Sequence, residues 1–154
     1  MENVQVEQVL SRYGALILHL AYSYLHNQSD AEDILQDTLI QYLKRTEAFE
    51  SPEHEKAWLI RVTGNLCKNK LKSAGYSYEE LPEDYGTDGI PEESIAIFHA
   101  VQALPLKYRE VIHLFYYEDA TTAQIAKMLG KNEVTVRSLL SRGRKILKKQ
   151  LEEV

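Results

Sequence analysis

Thr121-Thr-Ala-Gln-Ile-Ala-Lys-Met-Leu-Gly130, followed by Lys131-Asn-Glu-Val-Thr-Val-Arg-Ser-Leu-Leu-Ser-Arg-Gly-Arg-Lys145, reads as two helices joined at a glycine. Thr121 is placed to cap the first helix, with Gln124 completing a capping box. Gly130 can supply the positive φ that ends it, and Asn132 is a good cap for the longer, basic second helix. Ile125, Ala126, Leu129, Val136 and Leu140 fall where two steeply crossing helices bury their side chains. This is the layout of a helix-turn-helix, whose second helix enters the major groove of DNA. On that helix Arg137, Ser138, Ser141, Arg142 and Lys145 share a face opposite Val136 and Leu140, with Glu133, Thr135 and Arg144 at its borders. Arg can grip guanine through two hydrogen bonds, and a serine hydroxyl can meet phosphate or base. The plainer alternative is a basic solvated helix, which the turn signature disfavours.

Outward from this motif, nearly every segment has helical period. Val6, Val9, Leu10, Tyr13, Leu16, Ile17, Leu20 and Ala21 mark a first amphipathic helix that ends before His26. Ser29-Asp30-Ala31-Glu32 reads as a capping box opening a second, with Ile34, Leu35, Thr38, Leu39 and Tyr42 facing inward. Ser51-Pro52 is a cap followed by proline at the first helical position, starting a third helix expected to reach about Ser73. Residues 74–90 have no period and are rich in turn formers and acids, the composition of a linker. Helical pattern resumes over Glu92–Ala103 and Lys107–Tyr117. No segment shows sustained strand alternation. The expected architecture is all-α: two small helical domains joined by a flexible acidic tether. A tether of about 20 residues spans up to roughly 65–70 Å when extended.

The net charge of −5 over 154 residues hides a strong segregation. Residues 131–149 carry seven Lys and Arg against the single acid Glu133, whereas residues 73–94 carry seven acids and no base. Phosphate neutralisation supplies most non-specific DNA affinity, so an acidic chain should bind DNA weakly alone and work with a larger partner. No apolar run is long enough to span a bilayer, and the N-terminus lacks a secretory pattern, so a cytoplasmic protein without membrane insertion is expected. The single Cys67 excludes a disulfide framework and reads as a buried thiol.

Two further faces carry possible chemistry. On the third helix Trp58, Arg61, Asn65, Lys68, Asn69 and Lys72 form one stripe. Cations meet phosphate, amides read base edges and an aromatic supports unstacked bases. The alternative is a solvated face with Trp58 half buried in the core. On the second helix Glu32, Asp33, Gln36 and Asp37 point outward, suited to a basic protein surface or simply solvated. The histidines are scattered without ligand spacing, so no metal is expected. No nucleophile elbow, phosphate loop or activated cysteine is present; no catalytic residue and no cofactor is expected.

Together these segments resemble the extracytoplasmic-function sigma factors, the small promoter-recognition subunits of bacterial RNA polymerase. The carriers are Asp30-Ala-Glu-Asp-Ile-Leu-Gln-Asp37, Trp58-Leu-Ile-Arg-Val-Thr-Gly-Asn65, Leu104-Pro-Leu-Lys-Tyr-Arg-Glu-Val111 and the helix-turn-helix, in the family's order. The resemblance implies a region 2-like domain over residues 1–73, a linker over 74–91 and a region 4-like domain over 92–154. It also implies that Glu32, Asp33, Gln36 and Asp37 dock on the clamp of the polymerase β′ subunit, and that core polymerase is contacted at the β flap as well. The stripe from Trp58 to Lys72, with the Phe49–Lys56 loop, would melt and read the −10 element. Glu133, Thr135, Arg137, Ser138, Ser141, Arg142 and Lys145 would read the −35 element, and an inhibitory anti-sigma factor is a further expected partner. Asn69 and Lys72 stand where relatives commonly have Asp and Arg, and Gln124 where Glu is usual. Leu139 occupies a position often basic, and Gly143 replaces a frequent Ala at a cost of up to about 1 kcal/mol in helix propensity. A stand-alone regulator of duplex DNA is the main competing class; its usual dimer seam is not seen. A metal-dependent helical nuclease is disfavoured for want of ligands.

Overall fold

The computed structural model describes residues 2–73, 76 and 91–152, all helices and connecting turns with no strand among them. The chain divides into two compact units, Met1–Glu80 and Leu81–Val154.

The first unit holds three helices, α1 (Glu2–Leu25), α2 (Gln28–Lys44) and α3 (Pro52–Leu71), each packed on the other two. Along α1, Val9, Tyr13, Ile17, Leu20, Ala21 and Tyr24 recur at helical spacing and are buried, as the sequence period requires. Full burial of each such aliphatic contributes about 1.5–3 kcal/mol. Tyr76 lies within the segment read as linker, yet its hydroxyl donates to the Leu25 carbonyl at 2.9 Å, satisfying one of the acceptors that a helix end leaves open. The rest of the expected tether lies outside the described residues, Pro91 excepted.

The start of α2 differs from the capping box read at Ser29. His26 takes a positive φ of 50° that closes α1, and Asn27 follows at once in extended backbone. Its side chain accepts from the Asp30 amide at 2.9 Å, so Asn27 is the cap and Ser29 falls inside the first turn. Helix α3 opens as expected, the Ser51 hydroxyl accepting from the His54 amide at 3.1 Å before Pro52. It ends at Leu71, with Lys72 as the closing residue rather than Ser73.

The second unit contains α4 (Glu92–Gln102), α5 (Leu106–Ile112), a π-helical turn (His113–Tyr117), α6 (Thr122–Leu129) and α7 (Glu133–Glu152). The expected helix over Lys107–Tyr117 is thus present, but its last turn widens to π geometry. Arg109 is buried and donates to the carbonyls of Gln102 at 3.2 Å and Leu104 at 2.9 Å, pinning the turn around Pro105. His113 and Glu118 lie 3.2 Å apart across the end of the π turn. Asp119 then adopts a φ of 55°, a region that aspartate tolerates better than most residues, and releases the chain into α6.

The helix-turn-helix forms as read. The Thr121 and Gln124 side chains exchange bonds with each other's amides at 3.1 and 2.9 Å. Gly130 sits at φ 64° and Asn132 accepts from the Thr135 amide at 2.8 Å. Ile125, Ala126, Val136 and Leu140 are buried, but Met128 takes the deep position expected of Leu129, which is half-buried. Leu139 is also buried, facing the core of the unit. A basic residue at 139 would have to leave that contact or bury its charge, so leucine is there a packing residue.

Candidate nucleic-acid interface

The reading faces follow from what each helix turns inward. In α2 the buried residues are Ala31, Ile34, Thr38 and Tyr42. Glu32, Asp33, Gln36 and Asp37 are therefore on the far side and all four are exposed. Asp30 belongs elsewhere: its carboxylate is 3.7 Å from Lys70 of α3, tying the start of one helix to the end of the next. The result is an exposed face with three carboxylates and one amide on a helix held rigidly by its opposite side.

Helix α3 buries Leu59, Ile60, Thr63 and Cys67, which leaves Arg61, Asn65, Asn69 and Lys72 exposed along one line. Lys68 is half-buried, its ammonium 6.0 Å from the Tyr24 ring centre. Burial pushes the Cys67 thiol far above its ordinary value, so this cysteine is a packing group with no thiolate character.

Trp58 does not stand out from this line as a free stacking platform. It is half-buried, 5.7 Å from the Phe49 ring and 6.1 Å from the Tyr42 ring, edge-on to both. These aromatics join Val9, Tyr13, Ile17 and Leu59 in one cluster. Sequence spacing had left this core role open beside the base-stacking one.

The loop between α2 and α3 is braced by the same cluster. The Arg45 guanidinium lies 3.8 Å from the Tyr42 ring centre and 4.6 Å from that of Phe49, and it donates to the Tyr42 carbonyl at 2.6 Å. The Tyr42 hydroxyl donates to Glu55 at 2.8 Å. Burial first, and then the neighbouring carboxylate of Glu55, raise the Tyr42 pKa and keep its proton in place. His54 stacks edge-on against Phe49 at 5.3 Å and approaches Glu47 at 3.0 Å. The loop that precedes the cationic stripe is thus preformed. Glu55 was not singled out by sequence because its partners Tyr42 and Arg12 lie on other helices, and Arg45 because it closes α2, where helical period no longer assigns a face.

In the second unit, α7 buries Val136, Leu139, Leu140 and Gly143, so Thr135, Arg137, Ser141, Arg142 and Lys145 are exposed and Ser138 is half-buried beside them. Every member expected on this face is found there. Glu133 differs in kind. Its carboxylate accepts from the Thr122 hydroxyl at 2.7 Å and lies 2.8 Å from Arg137 one turn on. The bond from Thr122, and then that from Arg137, hold its pKa below the ordinary value. Glu133 thereby aims Arg137 and ties α6 to α7. Arg144, placed by spacing at the border of the face, is turned to the protein: its Nε donates to the Tyr116 hydroxyl at 2.6 Å, with the Phe115 ring 5.4 Å away.

Between α4, the π turn and α7 lies an apolar hollow of about 570 Å³, lined by Ile97, Phe98, Ile112, Tyr116, Leu147 and Leu151 among others. Among the described residues no group of His, Cys, Asp and Glu is arranged to hold a metal ion, and no helix is long and apolar enough to cross a membrane.

Comparison with known proteins places both units. Residues 9–76 match the family description "Sigma-70 region 2", and residues 94–147 match "Sigma-70, region 4". The chain is 30% identical to RNA polymerase sigma factor SigV of Bacillus subtilis, over 86% of this chain and 82% of that one. It is 28% identical to the ECF RNA polymerase sigma factor SigW of the same organism, over 95% and 88%. Among solved structures, the fold is similar to that of sigma factor RpoE in complex with the anti-sigma factor NepR from Bartonella quintana. The TM-score there is 0.75 at 24% identity, covering 95% of this chain and 96% of that one.

Proposed function

We propose residue roles from one premise: the chain belongs to the extracytoplasmic-function sigma factors of the sigma-70 family, which bind core RNA polymerase and direct it to promoters. Residues 1–73 act as the region 2 domain and residues 92–154 as the region 4 domain, with the acidic segment between them as tether. Glu32, Asp33, Gln36 and Asp37 dock on the β′ clamp, where a row of carboxylates on a rigid helix complements a basic surface. Arg61, Asn65, Lys68, Asn69 and Lys72 contact the −10 element. Trp58 supports them from behind by fixing the Phe49–Lys56 loop, which receives an unstacked base.

Thr135, Arg137, Ser138, Ser141, Arg142 and Lys145 read the −35 element, with Glu133 orienting Arg137. The apolar hollow beside α4 takes the β flap, since its wall of aliphatic and aromatic side chains suits an apolar helix. The chain works in the cytoplasm by binding, without chemistry of its own, and an anti-sigma factor holds it inactive. The observation that carries this reading is the pair of exposed cationic faces, on α3 and on α7, carried by two different compact units of one chain.

The test is reconstitution with purified bacterial core polymerase, comparing the protein with a variant carrying Asp33→Ala and Gln36→Ala. Both positions are exposed, so the variant should fold normally and lose core binding. Unchanged core binding would refute the docking face. Failure of the unaltered protein to bind core, together with tight sequence-specific binding of duplex DNA, would favour a stand-alone regulator.

A further inference from the structure

Val134 is 71% exposed, more than any other large apolar side chain among the described residues. It stands on the first turn of α7, in the middle of a polar and cationic face. At 100° per residue Val134, Ser138, Ser141 and Lys145 fall within an arc of about 60°, along about 16 Å of helix. The buried Val136, Leu140 and Gly143 lie on the other side.

Folding gives no reason for valine here. It does not join the core, and a β-branched residue is a poorer helix former than alanine, lysine or glutamate at an exposed site. The polar groups around it are already committed: Asn132 caps the Thr135 amide at 2.8 Å, and Glu133 is engaged by Thr122 at 2.7 Å and Arg137 at 2.8 Å. Val134 is thus an outward apolar group on the turn that reaches deepest into a major groove in this motif. The major groove offers such a group one apolar feature, the 5-methyl of thymine.

We infer that Val134 reads the 5-methyl group of one thymine in the −35 element, adding apolar specificity to the hydrogen-bonding residues of α7. This rests on the proposal that α7 reads that element. Arg137 and Arg142 can distinguish guanine through N7 and O6, but a cation does not separate thymine from uracil. A methyl packed against the valine does.

The experiment uses holoenzyme and a promoter obtained from it by selection, with each thymine of the −35 element replaced singly by deoxyuridine, which removes only the methyl. One replacement should weaken binding by about fourfold, the effect of uncovering one methyl-sized group. Holoenzyme carrying Val134→Ala should bind the thymine and uracil duplexes equally. The inference is overturned if no replacement affects the unaltered protein, if the element contains no A·T pair, or if Val134→Ala remains methyl-sensitive. It is also overturned if Val134→Ala weakens thymine and uracil duplexes by the same factor relative to the unaltered protein, which would mark Val134 as a contact to protein or phosphate. A scrambled −35 element separates the two levels: if scrambling leaves binding unchanged, the −35 role of α7 itself fails. If scrambling weakens binding while no methyl matters, only the Val134 assignment fails.

Discussion

The carboxylate of Glu133 stands 2.8 Å from the guanidinium of Arg137, one turn along α7, and is fixed from below by the Thr122 hydroxyl at 2.7 Å. An acid on a DNA-binding face repels phosphate, so its presence is explained by orientation. Glu133→Ala should leave non-specific DNA affinity equal or higher and reduce −35 discrimination by on the order of 1 kcal/mol. Competition binding with matched and scrambled elements measures both. The same contact has a pH signature. Since the Glu133 pKa is lowered on folding, the stabilisation is complete above the ordinary glutamate range and is lost as pH falls through the lowered value. The stability difference between the protein and Thr122→Ala should therefore be constant from neutral pH to about pH 5 and shrink below about pH 4. A difference that grows in acid contradicts this.

The cap of α2 separates two neighbouring positions. Asn27→Ala should cost about 1 kcal/mol in denaturant unfolding, because the Asp30 amide loses its acceptor. Ser29→Ala, inside the first turn, should change stability by less than about 0.5 kcal/mol. The reverse order would restore the capping box read from sequence.

At Gly143 helix propensity and packing oppose each other. A β-carbon there would lie 3.2 Å from Cγ1 of Ile112 and 3.4 Å from Cβ of Tyr108, and Ile112 is itself fully buried. Gly143→Ala should therefore fail to return the roughly 1 kcal/mol that alanine gains in an open helix. Gly143→Val should destabilise by about 1–3 kcal/mol through overpacking. Thermal unfolding of the two variants tests the close approach of α5 and α7.

Cys67 should be inert to thiol reagents at pH 8 in the native protein, since burial both shields it and disfavours the thiolate. Reaction should appear only in denaturant. Rapid labelling under native conditions would contradict the packing of α3.

Much of this was legible in the sequence where the signal is local. Thr121, Gln124, Gly130 and Asn132 carry the turn of the helix-turn-helix because capping chemistry acts over three or four residues. The exposed lines on α2, α3 and α7 followed from helical period. What escaped depends on where the backbone leaves the helical region or on contacts between elements. Asn27 displaced Ser29 because His26 left the helical region, a choice that no propensity at Ser29 reveals. Trp58 sits at a helical position open to DNA or core by spacing, and only the fold shows that its ring packs 5.7 Å from that of Phe49. Leu139 reads as a lost basic contact until the fold turns it inward, and Arg144, which spacing puts only at the border of the face, is held by Tyr116 at 2.6 Å.

In the proposed roles the two units divide the promoter, α3 taking the −10 element and α7 the −35 element. Promoter selection from a randomised library, with holoenzyme carrying either Asn69→Ala or Arg142→Ala, separates the two. Arg142→Ala should relax preference in the −35 element alone, by about 1–3 kcal/mol at the affected position, and Asn69→Ala in the −10 element alone. A shift of preference in the opposite element, or no shift in either, would contradict the account.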